Sequence, residues 1–167
     1  MNLLDLPVIS RTRRNHGLEH ATIHVLSERI PHLRMAGRSQ PNGFYLYGNV
    51  KTEDISLAVN DAIRRMRAGE RQLAVHPGCG TNLVASGFFS GALAFVMSLL
   101  SGRRARWYDR LPNAILGGVA GAAIGRPVGP WLQANVTTSA DMHDMRVRNI
   151  VRSQSGPMVM HFVETTQ

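Results

Sequence analysis

The stretch "KTEDISLAVNDAIRRMRAGE", residues 51–70, contains the clearest helix signal in the sequence. Thr52 can cap this helix, and Gly69 can end it, because glycine readily adopts the left-handed conformation found after helix ends. Glu53 and Asp54 in the first turn suit the positive end of the helix dipole. Apolar residues recur on one face, which predicts that this face is buried. It consists of Ile55, Val59, Ala62, Ile63 and Met66.

A second helix is predicted upstream, over residues 12–30. Thr12 or Asn15 can cap it, and Pro31 stops it because proline cannot continue a helix. Its apolar residues also recur at helical spacing, so one face should pack on a core. That stripe consists of Leu18, Ala21, Val25 and Leu26.

Three strands are predicted around these two helices. Residues 33–38 and 44–50 form two of them, and "QPNG" between them has the composition of a turn. The segment "RQLAVHP", residues 71–77, predicts the third strand. Residues 1–81 are therefore expected to form a small α-β-β-α-β domain.

The end of the chain predicts a β-hairpin. Apolar and polar residues alternate on both sides of "SQSG" in the segment "DMRVRNIVRSQSGPMVMHFVETT". We expect this tail, residues 137–167, to pack on the first domain and to join its sheet. The predicted fold class is α+β, and residues 82–136 lie between the two β-containing parts.

Residues 82–136 predict a hydrophobic hairpin of two helices. Residues 83–100 form an 18-residue run without charge, which reaches the lower limit for crossing a bilayer. A second uncharged run covers residues 111–125. Because both runs are short, the alternative is a buried helical hairpin in a soluble protein.

Small and aromatic residues support the membrane interpretation of this hairpin. Glycines recur at four-residue spacing, which allows two helix backbones to approach closely in lipid. Aromatic residues near the ends of the runs suit the membrane interface. The glycines are Gly87 and Gly91 in the first run and Gly117, Gly121 and Gly125 in the second, and the aromatic residues are Trp107, Tyr108 and Trp131.

The basic composition restricts the class of partner. The chain has a formal net charge of +8 and 19 basic residues, of which Lys51 is the one lysine. Such a balance indicates either nucleic acid or an anionic membrane surface. The sequence contains no recognised nucleic-acid-binding motif, so no nucleic-acid partner is expected. A membrane surface is favoured because four arginines occupy the loop between the apolar runs, namely Arg103, Arg104, Arg106 and Arg110.

The expected location is the inner (cell) membrane, integral or peripheral, with the main domain in the cytoplasm. The first 17 residues lack the pattern of a secretory signal. The positive-inside rule also places the arginine-rich loop in the cytoplasm. If each run crosses the membrane fully, the loop lies on the opposite side from the first domain, so the loop and the domain cannot both be cytoplasmic. A shallow or re-entrant hairpin would remove this conflict. The single cysteine, Cys79, excludes an internal disulfide framework.

The predicted 12–30 helix contains "HGLEH", which predicts a metal site. On a helix, His16 and His20 lie on one face and can bind one metal ion through two imidazole nitrogens. Glu19 flanks them without having to ligate, and it is placed to take a proton from an activated water. This arrangement reverses the order of the H-E-x-x-H motif. The alternative is a polar, solvated helix face on which the histidines cap or pair with Glu19.

A zinc site needs at least a third protein ligand. His76 and Cys79 in "HPGCGTN", residues 76–82, have ligand spacing in a glycine-rich turn. Glu70 is a weaker acidic alternative because it lies beside Arg71. Cys79 has two other interpretations, a small buried hydrophobic residue or the nucleophile of a Cys-His dyad, although such a dyad does not account for Glu19.

The other histidines and Asp141 are not expected to be the main metal ligands. His24 is expected to orient a ligand, although it could itself be the third ligand, and Asp141 and His143 could orient ligand histidines. His161 is expected on a strand surface and His32 in a loop.

These motifs together resemble a known family. "NHGLEHATI", "HPGCGTNL", the apolar hairpin and then "PWLQANVTTSAD" resemble the membrane proteins of the YqhQ type, which are described as predicted metal-dependent enzymes. The resemblance covers roughly residues 11–160, and a smaller, uncharacterised stand-alone relative of that family is the closest match. It implies that the matching residues include His16, Glu19, His20, His76, Cys79, Gly80, Thr81, Gln133, Thr137 and Thr138, with Asp141 in place of the family's acidic residues.

The sequence therefore predicts a membrane-associated, metal-binding protein. Zinc, or another divalent metal, is the expected cofactor, with His16, His20, His76 and Cys79 as ligands and Glu19 as the catalytic base. The expected activity is hydrolysis of a peptide or protein substrate. The alternative is a non-catalytic membrane protein in which a closed set of four ligands holds a structural metal, or in which the same residues form a polar core.

Overall fold

In the computed structural model, the structure describes residues 3–102, 105–142, 144–156 and 158–166. The chain divides into two compact units. The first unit combines residues 1–76 with residues 134–167, and the second consists of residues 77–133.

The first unit is built from two helices and a sheet of four strands. Its helices are α1 (Pro7–Arg29) and α2 (Thr52–Arg67). The sheet is antiparallel throughout, with the strand order β1-β2-β4-β3, so the C-terminal hairpin joins the first two strands. The predicted α+β fold is confirmed. The strands are β1 (Ala36–Gln40), β2 (Gly43–Tyr47), β3 (Arg146–Ser155) and β4 (Met158–Thr166).

The core of this unit lies between the two helices and one face of the sheet. Every second residue of β4 is buried from Val159 to Thr165, as expected for a strand with one covered face. The apolar faces that the sequence predicted for α1 and α2 are buried in full. They meet Phe44, Leu46 and Val163 from the sheet.

The start of α1 differs from the prediction. The helix begins at Pro7, where proline presets the helical φ angle and its missing N–H costs nothing. Thr12 therefore lies inside the helix, and its hydroxyl donates to the Val8 carbonyl. Asn15 is fully buried, donates to the Gln40 carbonyl and accepts a bond from Thr165. Neither residue caps the helix.

The strand predicted over "RQLAVHP" is wrong. Arg71–Ala74 form a short 3-10 helix, and Leu73 and Ala74 are buried. The carbonyls of Ala74 and Val75 bond to histidine rings of α1. Because side chains of a helix take up these backbone groups, they are not used in a sheet ladder.

The expected surface position of His161 is also wrong. This residue lies on the covered face of β4 and is 0% exposed. Its Nε2 atom lies 3.1 Å from the Thr52 hydroxyl, and burial lowers its pKa, with a further contribution from Arg152. The alternation of buried and exposed residues along β4 places His161 on the covered face of the sheet. A polar ring is more often found on the exposed face, which is where it was expected.

The second unit is a hairpin of two helices, α3 (Gly80–Leu99) and α4 (Trp107–Leu132). A β-carbon on Gly117 would lie 2.5 Å from the Leu93 carbonyl oxygen, and one on Gly125 would lie 2.5 Å from the Ser86 Cα. A β-carbon on Gly121 would collide with the Phe89 backbone. The glycine spacing on α4 is therefore what permits close backbone packing.

The glycines of α3 do not share this role. A β-carbon at Gly87 or Gly91 would meet nothing within 4 Å among the described residues, so the prediction that they form a helix contact is wrong. The α3 backbone that meets α4 includes Ser86, Phe89 and Leu93. Gly87 is turned about 100° from Ser86, which places it away from α4.

After α4 the chain forms a single π-helical turn, Gln133–Thr137, that leads back into the first unit. Within the described residues, α3 is the one helix that is long and apolar enough to cross a membrane, on length and composition alone.

Candidate metal centre

Four histidines of the first unit form a continuous cluster. Three come from α1, where spacing of four residues places them on one face. His16 and His20 have ring centroids 4.4 Å apart. His76, which follows the 3-10 helix, lies 5.7 Å from His20 and 4.8 Å from His24 between ring centroids. The structure thus brings together four of the predicted ligand or orienting residues.

Each histidine of α1 bonds to a backbone carbonyl. Nδ1 of His16 lies 2.9 Å from the Thr137 oxygen, and Nδ1 of His20 lies 2.8 Å from the Ala74 oxygen. In His24 it is Nε2 that lies 2.9 Å from the Val75 oxygen.

These bonds assign the tautomer of each ring. A carbonyl only accepts, so the bonded nitrogen carries the proton, and in a neutral ring the other nitrogen carries the lone pair. That nitrogen is Nε2 in His16 and His20, and Nδ1 in His24. Histidines that bind metals usually donate their second N–H to a carbonyl or carboxylate in this way.

The fourth ring, His76, is held neutral at physiological pH. Burial lowers its pKa to about 4, and the nearby His24 and His20 act in the same direction. A neutral imidazole is the form that binds a metal ion.

The Glu19 side chain contacts strand β1 of the sheet. It is 4% exposed, and its Oε2 accepts a short hydrogen bond from the Ser39 hydroxyl on β1. Its other carboxylate oxygen occupies the space that a β-carbon on Gly37 would need. The absence of a side chain at Gly37 therefore makes room for the carboxylate between α1 and β1.

The other predicted residues are placed as follows. Asp141 pairs with Arg14 at 3.1 Å, and both side chains are partly exposed. Cys79 belongs to the second unit, precedes α3 and lies 3.5 Å from the Thr81 hydroxyl. His143 lies outside the described residues.

The acidic alternative ligand, Glu70, is engaged elsewhere. Arg65 donates to it at 2.8 Å, and these hydrogen bonds lower the pKa of the Glu70 carboxyl. Glu70 therefore has a structural role in an ion pair at the end of α2.

Residues 11–150 match a family described as a domain of unknown function, DUF6391. The chain belongs to this family. An uncharacterised protein of Picosynechococcus sp. (strain ATCC 27264 / PCC 7002 / PR-6) is 34% identical over 143 residues, which cover 78% of this chain and 67% of the relative. No solved structure matches the chain.

The DUF6391 match includes all four histidines, and the structure adds groups that the sequence analysis missed. Arg13 donates to the carbonyls of Val136 and Asn135 at 2.7 and 3.0 Å. A β-carbon at Gly17 would collide with the Ser139 carbonyl. A glycine inside a helix costs about 1 kcal/mol relative to alanine, so Gly17 was a readable signal of close backbone approach.

Proposed function

We propose that this protein binds a divalent metal ion, with zinc as the first choice, and that it is a hydrolase of the peptidase type acting at a membrane. The observation that carries the proposal is the set of histidine-to-carbonyl bonds, which favours tautomers of His16 and His20 with the lone pair on Nε2. This tautomer is the one that metal-binding histidines with such a second bond usually adopt. The resemblance of the motifs to YqhQ-type proteins points in the same direction.

The proposed ligands are His16, His20 and His76, with Cys79 as the fourth. The ring contacts within the first unit support the three histidines. Cys79 follows His76 by three residues, so the chain limits their Cα separation to about 11 Å. Thiolate and imidazole together suit zinc.

A zinc ion held by the proposed ligands would lower the pKa of the attacking water. Glu19 accepts the proton, and its bond from Ser39 holds the carboxylate in one orientation. The carbonyls of Thr137 and Ala74 orient the rings of His16 and His20.

The second unit supports the membrane part of the proposal. Apolar side chains cover the outer surfaces of both of its helices. Examples are Leu83 and Phe88 on α3, at 77% and 68% exposure, and Ile115 and Val119 on α4, at 57% and 67%. Contiguous apolar surface of this kind usually contacts lipid or a partner. Trp107 and Trp131, at the ends of α4, suit the lipid interface.

A second candidate function is a non-catalytic one, in which the same residues hold a structural metal or a polar core. The burial of Glu19 and its contacts with Ser39 and Gly37 favour this alternative, because a carboxylate used for packing is less available to a substrate. A closed set of four protein ligands would also favour a structural metal, because it leaves no open position for water.

Elemental analysis of detergent-purified protein tests the metal. We expect about one zinc per chain in the wild type and none in the His16→Ala, His20→Ala double variant. The control is His32→Asn, which removes an exposed histidine at a left-handed turn position that asparagine tolerates. Absence of stoichiometric metal in chelator-free wild type would exclude both metal-dependent functions.

The Glu19→Gln variant separates the two candidate functions. We expect it to retain zinc and to lose hydrolysis of a quenched fluorescent peptide library in liposomes by 100-fold or more, in line with the loss of a general base at about 10²–10⁴-fold. Glu28→Gln on the exposed side of the same helix is the control. Equal activity in Glu19→Gln and wild type would favour the structural function.

A further inference from the structure

The first unit contains a small polar cavity of about 150 Å³. It is lined by residues of α1, of the 3-10 helix and the residue after it, and of the π-helical turn and the segment that follows. None of the described lining residues is acidic. This volume exceeds the roughly 10–15 Å³ that one water molecule needs, so the cavity has room for a small polar group. The polar lining residues are Arg13, Arg71, Thr138 and Ser139.

The backbone holds Arg13 in place. Its Nε and Nη2 atoms donate to the carbonyls of Val136 and Asn135, and the Ser139 amide donates to the Arg13 carbonyl at 2.9 Å. The two side-chain bonds use two of the five guanidinium N–H groups. An arginine that is already ordered loses little conformational entropy when it binds a ligand.

The two acids next to this cavity in sequence form ion pairs with arginines outside its lining. Asp141 and Glu70 each adjoin a lining residue in sequence, and they pair with Arg14 at 3.1 Å and with Arg65 at 2.8 Å. Arg71 makes no ion pair among the described residues. The two guanidinium groups of Arg13 and Arg71 form a donor set that suits an oxyanion.

The cavity also borders the histidine cluster. Its lining residues Ala74 and Val75 are those whose carbonyls bond to His20 and His24. Thr138 directly follows Thr137, whose carbonyl bonds to His16. The same backbone segments therefore orient the histidines and form the wall of the cavity.

We propose that this cavity binds an oxyanion, either a carboxylate or a phosphate group. Its role as the anchor for a negatively charged group of the substrate rests on the proposed function of the histidine cluster. The hydrolysed substrate then carries an anionic group close to the bond that is cleaved.

Calorimetric titration of the full-length protein in detergent with sodium phosphate and with sodium acetate tests the site, at constant ionic strength set with chloride. We expect saturable binding of one anion per chain. Arg71→Ala should weaken it by about tenfold to a hundredfold, the usual effect of losing a charged hydrogen-bond donor. Preference for phosphate or for acetate then identifies the group.

Arg34→Ala is the matched control, because it removes one exposed positive charge from the same unit outside the cavity lining. Equal weakening by both variants, an unchanged affinity in Arg71→Ala, or no saturable binding of either anion would overturn the proposal. Repeating the titration with the His16→Ala, His20→Ala variant separates the two proposals. If this variant lacks zinc but still binds phosphate or acetate, the oxyanion site is supported independently of the zinc proposal.

Discussion

The two units of this chain are stabilised in different ways. In the first unit, buried polar groups connect helix to sheet, as Asn15 does with Gln40 and Thr165. In the second, the absence of side chains allows backbones to touch, as at Gly121 against Phe89. The comparison shows that polar specificity and steric fit are separate means of fixing helix position, and each can be disrupted selectively.

The largest effect is expected from Gly121→Leu in the second unit. The new side chain would collide with the Phe89 backbone, which cannot move as a side chain can. We expect loss of more than about 3 kcal/mol of hairpin stability, at the upper end of overpacking effects. Thermal unfolding in detergent, followed by circular dichroism, measures it. Gly87→Leu is the control, and comparable losses in both variants would contradict the assigned interface.

The next effect is expected from Asn15→Ala in the first unit. This substitution leaves the Gln40 carbonyl and the Thr165 hydroxyl without their partner in a buried region. We expect a loss of about 2–3 kcal/mol in the free energy of unfolding, measured by urea titration. Asn60→Ala, at an exposed position of α2, should change it by less than about 0.5 kcal/mol. Similar losses of unfolding free energy in Asn15→Ala and Asn60→Ala would show that the hydrogen bonds of Asn15 do not stabilise the first unit.

A smaller, pH-dependent effect is expected from His161. Burial, followed by the charge of Arg152, lowers its pKa in the folded state, with Glu53 opposing. Between its lowered folded pKa and the unfolded value of about 6.5, the unfolded state binds more protons, so stability falls as the pH decreases through this window. The slope per proton is at most about 1.4 kcal/mol per pH unit.

Urea titrations between pH 7.5 and about pH 4 measure this slope in wild type and in His161→Asn. His76 adds to the slope with the same sign, because its pKa is lowered to about 4. The difference between the two proteins therefore isolates His161. Parallel curves would show that His161 does not titrate differently on folding.

The smallest effect is expected from Ser90→Ala in the hairpin. The Ser90 hydroxyl donates to the Gly118 carbonyl at 2.9 Å across the two helices. Bonds of this kind between membrane helices average about 0.6 kcal/mol, so we expect a loss of that order in the same detergent assay. Ser98→Ala, which removes a bond within α3 itself, is the control. A loss above about 2 kcal/mol would mean that polar bonds also dominate the second unit.

Local patterns accounted for much of the fold. The buried face of α2 followed from helical spacing, and the C-terminal hairpin followed from alternation around a turn that contains Gly156 at positive φ. These signals are local, so the sequence displays them directly. The histidine spacing on α1 similarly predicted which rings would be neighbours.

The errors arose where distant residues take up backbone groups. The segment 71–77 has strand-like composition, but His20 and His24 bond to its carbonyls, and no local pattern reveals this. The contacts of Glu19 with Ser39 and Gly37 likewise depend on how α1 lies on β1. Gly17 was a local sign of close backbone approach, since a helix interior disfavours glycine.

The bonds of α1 to the carbonyls of Ala74, Val75, Asn135, Val136 and Thr137 have a consequence for engineering. They hold the chain on one helix face immediately before it leaves the first unit and immediately after it returns. The two ends of residues 77–133 are therefore anchored within about three turns of one helix. We therefore expect the α+β unit to fold when a short glycine-serine bridge replaces residues 77–133.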